Sequence, residues 1–180
     1  FRACEDDWLA VQAGYLRQVR ELMAEHRCPL IVAGDIFDDG WRPGRCPPAL
    51  INFALEHLPP CLAVPGQHDL PHHRYEDVSR SAYWTLCRAG LVIDLPPGQP
   101  REIPTTPTPL RLHGFPWGAE VLPIHAHDLL IEVAVIHAYA WTPKTGYPDA
   151  PPAGRVSSWL ERLQGFDFAH FGDNHRQFLR

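Results

Sequence analysis

Lysine is nearly missing from this chain: of its sixteen basic residues only Lys144 is a lysine. With 20 prolines beside it, this reads as genome composition bias, since neither residue type clusters in a functional pattern. No apolar run approaches the roughly 18 residues of a membrane span. No charged start leads into an apolar leader segment, so a cytoplasmic protein that does not enter the membrane is expected. The five cysteines (Cys4, Cys28, Cys46, Cys61, Cys87) are odd in number, scattered and never spaced as CxxC. That pattern excludes a disulfide framework and a thiolate zinc site. A net charge of −5 excludes a protein that coats nucleic acid by bulk attraction. It leaves room for an acidic metal site that meets phosphates through its cations.

What is present is the composition of a soluble globular protein, 45% hydrophobic and 21% charged over 180 residues, enough for one domain over residues 1–180 with a well-buried core. Asp6 or Asp7 is placed to cap a helix whose apolar residues recur at Trp8, Val11, Tyr15, Val19 and Leu22, ending near His26. The run "CPLIVAGD" predicts a strand buried on both faces. A helix over about 48–57 follows, then the strand "CLAVPG", and then a helix over about 75–89 closed by Gly90. "LVIDL" is a further strand. Residues 96–109, rich in Pro and Thr, predict a surface excursion. "LRLHGF" and "DLLIEVAVIHAY" predict two strands, 156–163 a last helix and "FAHFGD" a last strand. Strands and helices alternate without internal repeat, so the fold class is α/β with a largely buried sheet.

In such folds ligands sit beyond the carboxyl ends of the strands. Those ends carry Gly34-Asp35, Gly66-Gln67-His68-Asp69, His137 and Gly172-Asp173-Asn174-His175. Each alone is equally at home in a turn or as a hydrogen-bonded core residue. Four together suggest a metal site. Oxygen and imidazole donors without thiolate suit Mn²⁺, Fe, Zn²⁺ or Mg²⁺, and a glycine before each donor lets the backbone turn sharply. Two such ions side by side are a recurring device for hydrolysing phosphate esters.

The segments "GDIFD" (34–38), "GQHD" (66–69), "VIHAY" (135–139) and "GDNH" (172–175) resemble, in order, the motifs of the calcineurin-like metallophosphoesterases. "PGQHDLP" and "HGFPWG" are most similar to the SbcD-like DNA repair exonuclease branch. The resemblance implies a sandwich of mixed β-sheets flanked by helices and two divalent ions, manganese favoured. Asp35 would bridge the ions, Gln67, His137 and Asp173 would hold one and His175 the other. His68 would serve the leaving oxygen, with Asp69 orienting its ring. DNA is the implied substrate, with an SMC-like ATPase subunit and a second copy of the chain as implied partners.

The chain departs from the motifs at three places. Gln67 stands for Asn and carries its amide farther out; Asp173 replaces a histidine with a hard anionic donor. No D-x-H precedes the first helix, where Asp6 and Asp7 read as capping residues. The resemblance thus implies a first strand missing and a C-terminal part cut away, and residues 1–180 alone would hold one ion or none. A phosphomonoesterase or small-nucleotide phosphodiesterase uses the same scaffold, and an inactive scaffold would keep the fold alone. Asp38 reads as a turn residue and His72 and His73 as surface loop. His113, His125, His127 and His170 read as structural, while Arg42, Arg45, Arg74 and Arg176 lie on loops beside the motifs.

Overall fold

The computed structural model describes residues 7–42, 46–126 and 129–174. Helix α1 (Trp8–His26) starts where Asp7 accepts a hydrogen bond from the Ala10 N–H at 3.0 Å and closes on Arg27, which is left-handed at φ 50°. The apolar stripe read from its period is split between two faces. Leu16 packs toward the core, whereas Trp8, Tyr15 and Leu22 stand exposed. Helix α2 (Pro48–His57) begins with proline at the first helical position, where the missing N–H has no intrahelical partner to lose.

Among the described residues, seven strands form two sheets. β1 (Leu30–Ala33), β2 (Cys61–Val64) and β3 (Val92–Asp94) run parallel in the order β1-β2-β3. β4 (Arg101–Ile103), β5 (Leu110–Phe115), β6 (Ile131–His137) and β7 (Phe168–Gly172) form the second sheet in that order. There β4 is antiparallel to β5 and the remaining pairs are parallel. The sheets face each other through Leu62, Val64, Leu95, Leu112 and Val135. α2 and α3 (Ala82–Arg88) cover the outer face of the first sheet around Tyr83, Leu86 and Ala54. The outer face of the second is closed by Val121, Trp159 and Phe166 against Ala134 and Ile136. The result is the expected α/β sandwich of two sheets flanked by helices.

Four local readings change. β1 is only half-buried at Leu30, Ile31 and Val32, because β2 is its sole strand neighbour among the described residues. The helix expected from Tyr75 begins at Ala82. Tyr75–Arg80 is a 3-10 turn, and Ser81 caps the helix by accepting from the Trp84 N–H at 3.2 Å. The excursion at 96–109 contains β4, a three-residue edge strand too short for alternation to show. The last helix, α4 (Val156–Trp159), is one turn long and gives way to turns that end at Gly165, whose φ of +90° lies where glycine is favoured.

Candidate metal centre

The carboxyl ends of β1, β2, β6 and β7 meet at one place. His137, the last residue of β6, is 1% exposed in its side chain and turns Nδ1 to the Ala33 carbonyl at the end of β1. A carbonyl only accepts, so Nδ1 carries the proton and Nε2 is the ring nitrogen that faces the site. Nε2 lies 3.2 Å from Asp35 Oδ2 and 2.6 Å from Gln67 Oε1. Gln67 Nε2 in turn donates to Asp173 Oδ1 at 3.2 Å. Ligand atoms of Asp35, His137 and Asp173 all lie within 4.8 Å of one another.

This donor set fits a cation. In the neutral imidazole the Nε2 lone pair would point at two oxygens that can only accept, and two carboxylates share the space. A positive charge between them, proton or metal ion, resolves both conflicts. The titration behaviour runs the same way. Burial acts to raise the Asp35 carboxyl, but the His137 bond and charge and the His68 N–H outweigh it and hold the group below its ordinary 3.8. Burial acts to lower His137, and the Asp35 bond, the Ala33 carbonyl and the charges of Asp35 and Asp173 outweigh it and lift the imidazole above 6.5.

The backbone is shaped to this cluster. Asp35 and Asp173 are left-handed, at φ 56° and 80°, conformations that cost of order 1–3 kcal/mol for a residue with a side chain. A Cβ on Gly34 would lie 2.0 Å from His137 Nδ1, and one on Gly66 would lie 2.1 Å from Asp35 Oδ1. One on Gly172 would lie 1.8 Å from the Ala33 carbonyl oxygen. Those glycines let the strand ends close around the ligand atoms.

Asp35, Gln67, His137 and Asp173 are thus brought together. His175 lies outside the described residues. His68 stands at the open rim, 44% exposed in its side chain, while its backbone N–H donates to Asp35 Oδ1 at 3.0 Å. The orienting role expected of Asp69 is corrected. That side chain is fully buried, and its two oxygens accept from the backbone N–H groups of Ile36 at 3.2 Å, Phe37 at 3.0 Å and Gly66 at 3.1 Å. Burial drives its carboxyl up to about 6, with the three N–H groups pulling the other way and the Asp35 charge adding to the rise. Asp69 therefore ties the loop after β1 to the loop after β2. The acid beside the His68 ring is Asp38, 3.4 Å from Nδ1.

Two further contacts lie beyond what the motifs reveal. The His73 ring reaches the Gln67 carbonyl at 2.9 Å, from a residue that is left-handed like its neighbour His72. Trp117 stands edge-on to the His137 ring, centroids 6.3 Å apart, and its backbone N–H donates to the Pro65 carbonyl at 3.2 Å. "HGFPWG" was the only signal for Trp117, and nothing in the spacing separates His73 from loop. His113, read as structural, is bonded to buried Glu132 at 2.7 Å. Of the loop arginines, Arg42 lies over the Trp41 ring and Arg74 faces Glu76; Arg45 and Arg176, like His127, lie outside the described residues.

Parallel strands deliver two carboxylates, an amide and an imidazole to one edge, a donor set that could hold a metal ion. The family model for calcineurin-like phosphoesterases matches residues 10–177, and the chain belongs to that family, whose members are typically dinuclear metal-dependent hydrolases. A comparison with curated proteins returned no match. Among the described residues no helix is long and apolar enough to cross a membrane.

Proposed function

We propose that this domain hydrolyses phosphodiesters, with DNA backbone phosphate as substrate, and that it serves as the nuclease component of a repair or recombination complex of the SbcD-like kind. The observation that supports this most is the convergence of Asp35, Gln67, His137 and Asp173 beneath a rim that holds His68. Divalent ions held there would polarise a phosphoryl group and lower the pKa of a water. Asp35 stands between His137 and the His68 backbone N–H, where it can contribute to more than one ion. With Nδ1 toward Asp38, His68 has Nε2 for a substrate oxygen and acts as the donor to the leaving group. The hard Asp173 carboxylate favours Mn²⁺ over softer ions. An SMC-like ATPase subunit and a second copy of the chain are the partners this reading carries.

The test is Mn²⁺-dependent hydrolysis of bis-p-nitrophenyl phosphate against p-nitrophenyl phosphate, followed by single- and double-stranded DNA, with His68→Ala as control. Diester turnover exceeding monoester turnover, lost in His68→Ala, is expected. Monoester preference would move the domain to the phosphomonoesterases. Absence of turnover with every divalent ion, both in residues 1–180 and in a chain with a D-x-H segment added ahead of α1, would leave an inactive scaffold, and equal activation by Zn²⁺ would remove the manganese preference.

A further inference from the structure

A cavity of about 510 Å³ adjoins the metal centre, between the loop after β2 and the segment that follows β5. Its size falls within the range of small-molecule sites. Two of its lining residues adjoin residues of the centre: the His73 ring meets the Gln67 backbone carbonyl, and Trp117 stands edge-on to the His137 ring. A group esterified to a phosphate at the centre therefore has this cavity as a neighbouring space.

The lining selects what enters. The walls are aromatic and proline-rich, with Tyr75, Phe115 and Trp117 among them. The Tyr75 ring is fixed by its hydroxyl bond to Asp94 at 2.6 Å. Two basic groups on the wall already face acids: Arg74 lies 3.7 Å from Glu76, which also lines the cavity, and His113 is bonded to Glu132 at 2.7 Å. With Glu120 beside them, the wall carries no excess of positive charge to draw in a second phosphate. A flat, uncharged, aromatic group with polar edges suits these walls, because stacking requires only a π-face.

We infer that this cavity is a nucleobase subsite, which receives the base of a nucleotide whose phosphate lies at the Asp35–His137–Asp173 centre. The inference rests on the phosphodiesterase reading and adds to it where the base beside the reacting phosphate is held. It assigns to Trp117 and Tyr75 a contact with substrate.

Calorimetric binding of thymidine 5′-monophosphate is compared with that of deoxyribose 5-phosphate, which lacks only the base, in the Mn²⁺-loaded protein. The nucleotide should bind about tenfold tighter or more, the discrimination of one stacked base. Leu122→Arg places bulk and charge on the cavity wall from a side chain that is 57% exposed, so folding is spared, and it should erase the difference. Trp117→Ala should erase it too, whereas Trp117→Phe should retain most of it. Equal binding of the two ligands, or a difference untouched by Leu122→Arg, overturns the subsite. Turnover of methyl p-nitrophenyl phosphate separates this from the broader reading. If the methyl diester is hydrolysed while the base makes no difference, the subsite alone fails; if no diester is hydrolysed, either by residues 1–180 or by the chain with the added D-x-H segment, the phosphodiesterase reading fails whatever the binding shows.

Discussion

The two ends of the second sheet treat buried charge in opposite ways. Near the amino ends of β5 and β6, Glu132 is 1% exposed and receives Arg111 Nη1 at 3.1 Å and His113 Nε2 at 2.7 Å. Its own N–H donates to Asp167 at 2.8 Å, and Arg111 extends to Glu102 at 2.9 Å. Glu132, Arg111 and Glu102 there have fixed side-chain counterparts, and Asp167 is held by a backbone N–H. At the carboxyl ends, Asp35 and Asp173 crowd one imidazole from left-handed backbone, and only glycines let them approach. The first arrangement is closed electrostatically and serves the fold. The second is left open to a cation, so backbone strain and unbalanced charge coincide where chemistry is expected.

The largest expected effect is on the open end. Asp35→Asn should lower Mn²⁺-dependent diester turnover by about three orders of magnitude, equivalent to about 4 kcal/mol, at a cost of about 1 kcal/mol in stability, because the carboxylate's contacts with His137 and the His68 N–H are exchanged for weaker amide ones. A variant that lost as much stability as one at Glu132 would break the contrast between the ends. Next is Glu132→Gln, which leaves Arg111 without its buried counter-charge. A loss of about 2–4 kcal/mol in urea unfolding is expected, scaled down from a fully buried pair because Arg111 is partly exposed, with turnover per folded molecule unchanged.

A glycine pair sharpens the comparison. Gly66→Ala puts a methyl against the Asp35 carboxylate and should weaken Mn²⁺ binding about tenfold by calorimetry, about 1.4 kcal/mol. Gly90→Ala meets nothing within 4 Å but sits at φ +75°; it should cost about 1 kcal/mol of stability and leave metal affinity alone. The smallest effect is on the alkaline flank. Burial pushes Cys61 and Cys87 up to about 12, and burial with the neighbouring Asp94 raises Tyr75 and Tyr83 as well. Acids raised on folding stabilise fully below their unfolded values, 9.0 for the thiols and 10.0 for the phenols, and lose that contribution as pH rises toward the folded values. The melting temperature should therefore fall progressively above about pH 9. A flat alkaline profile would show that these groups are hydrated.

Much of this was legible in advance, for identifiable reasons. Asp7, Pro48 and the continuous apolar strands carry their own boundaries, because capping, proline geometry and burial on both sheet faces act within a few residues. Asp35, Gln67, His137 and Asp173 could be grouped because each stands at the end of a strand and parallel strands share one carboxyl edge. The role of Asp69 was hidden. Its partners at Ile36 and Phe37 are 33 and 32 residues away and are backbone groups, which no side-chain pattern announces. The same holds for the approach of Asp38 to His68 and for Trp117 against His137, where contact depends on how loops lie over the sheet edge. β4 escaped because three residues on an edge give no period.

The buried carboxylate of Asp69, fastened to backbone on both sides, has a consequence for how an ion enters and leaves. The loops that carry Asp35 and Gln67 are locked together by folding, before any cation arrives. An ion arriving there would meet a socket already built and would divert little binding energy to ordering these two loops. Were an ion bound there and then removed, the two loops would stay fastened, so loading and stripping should leave the sandwich intact.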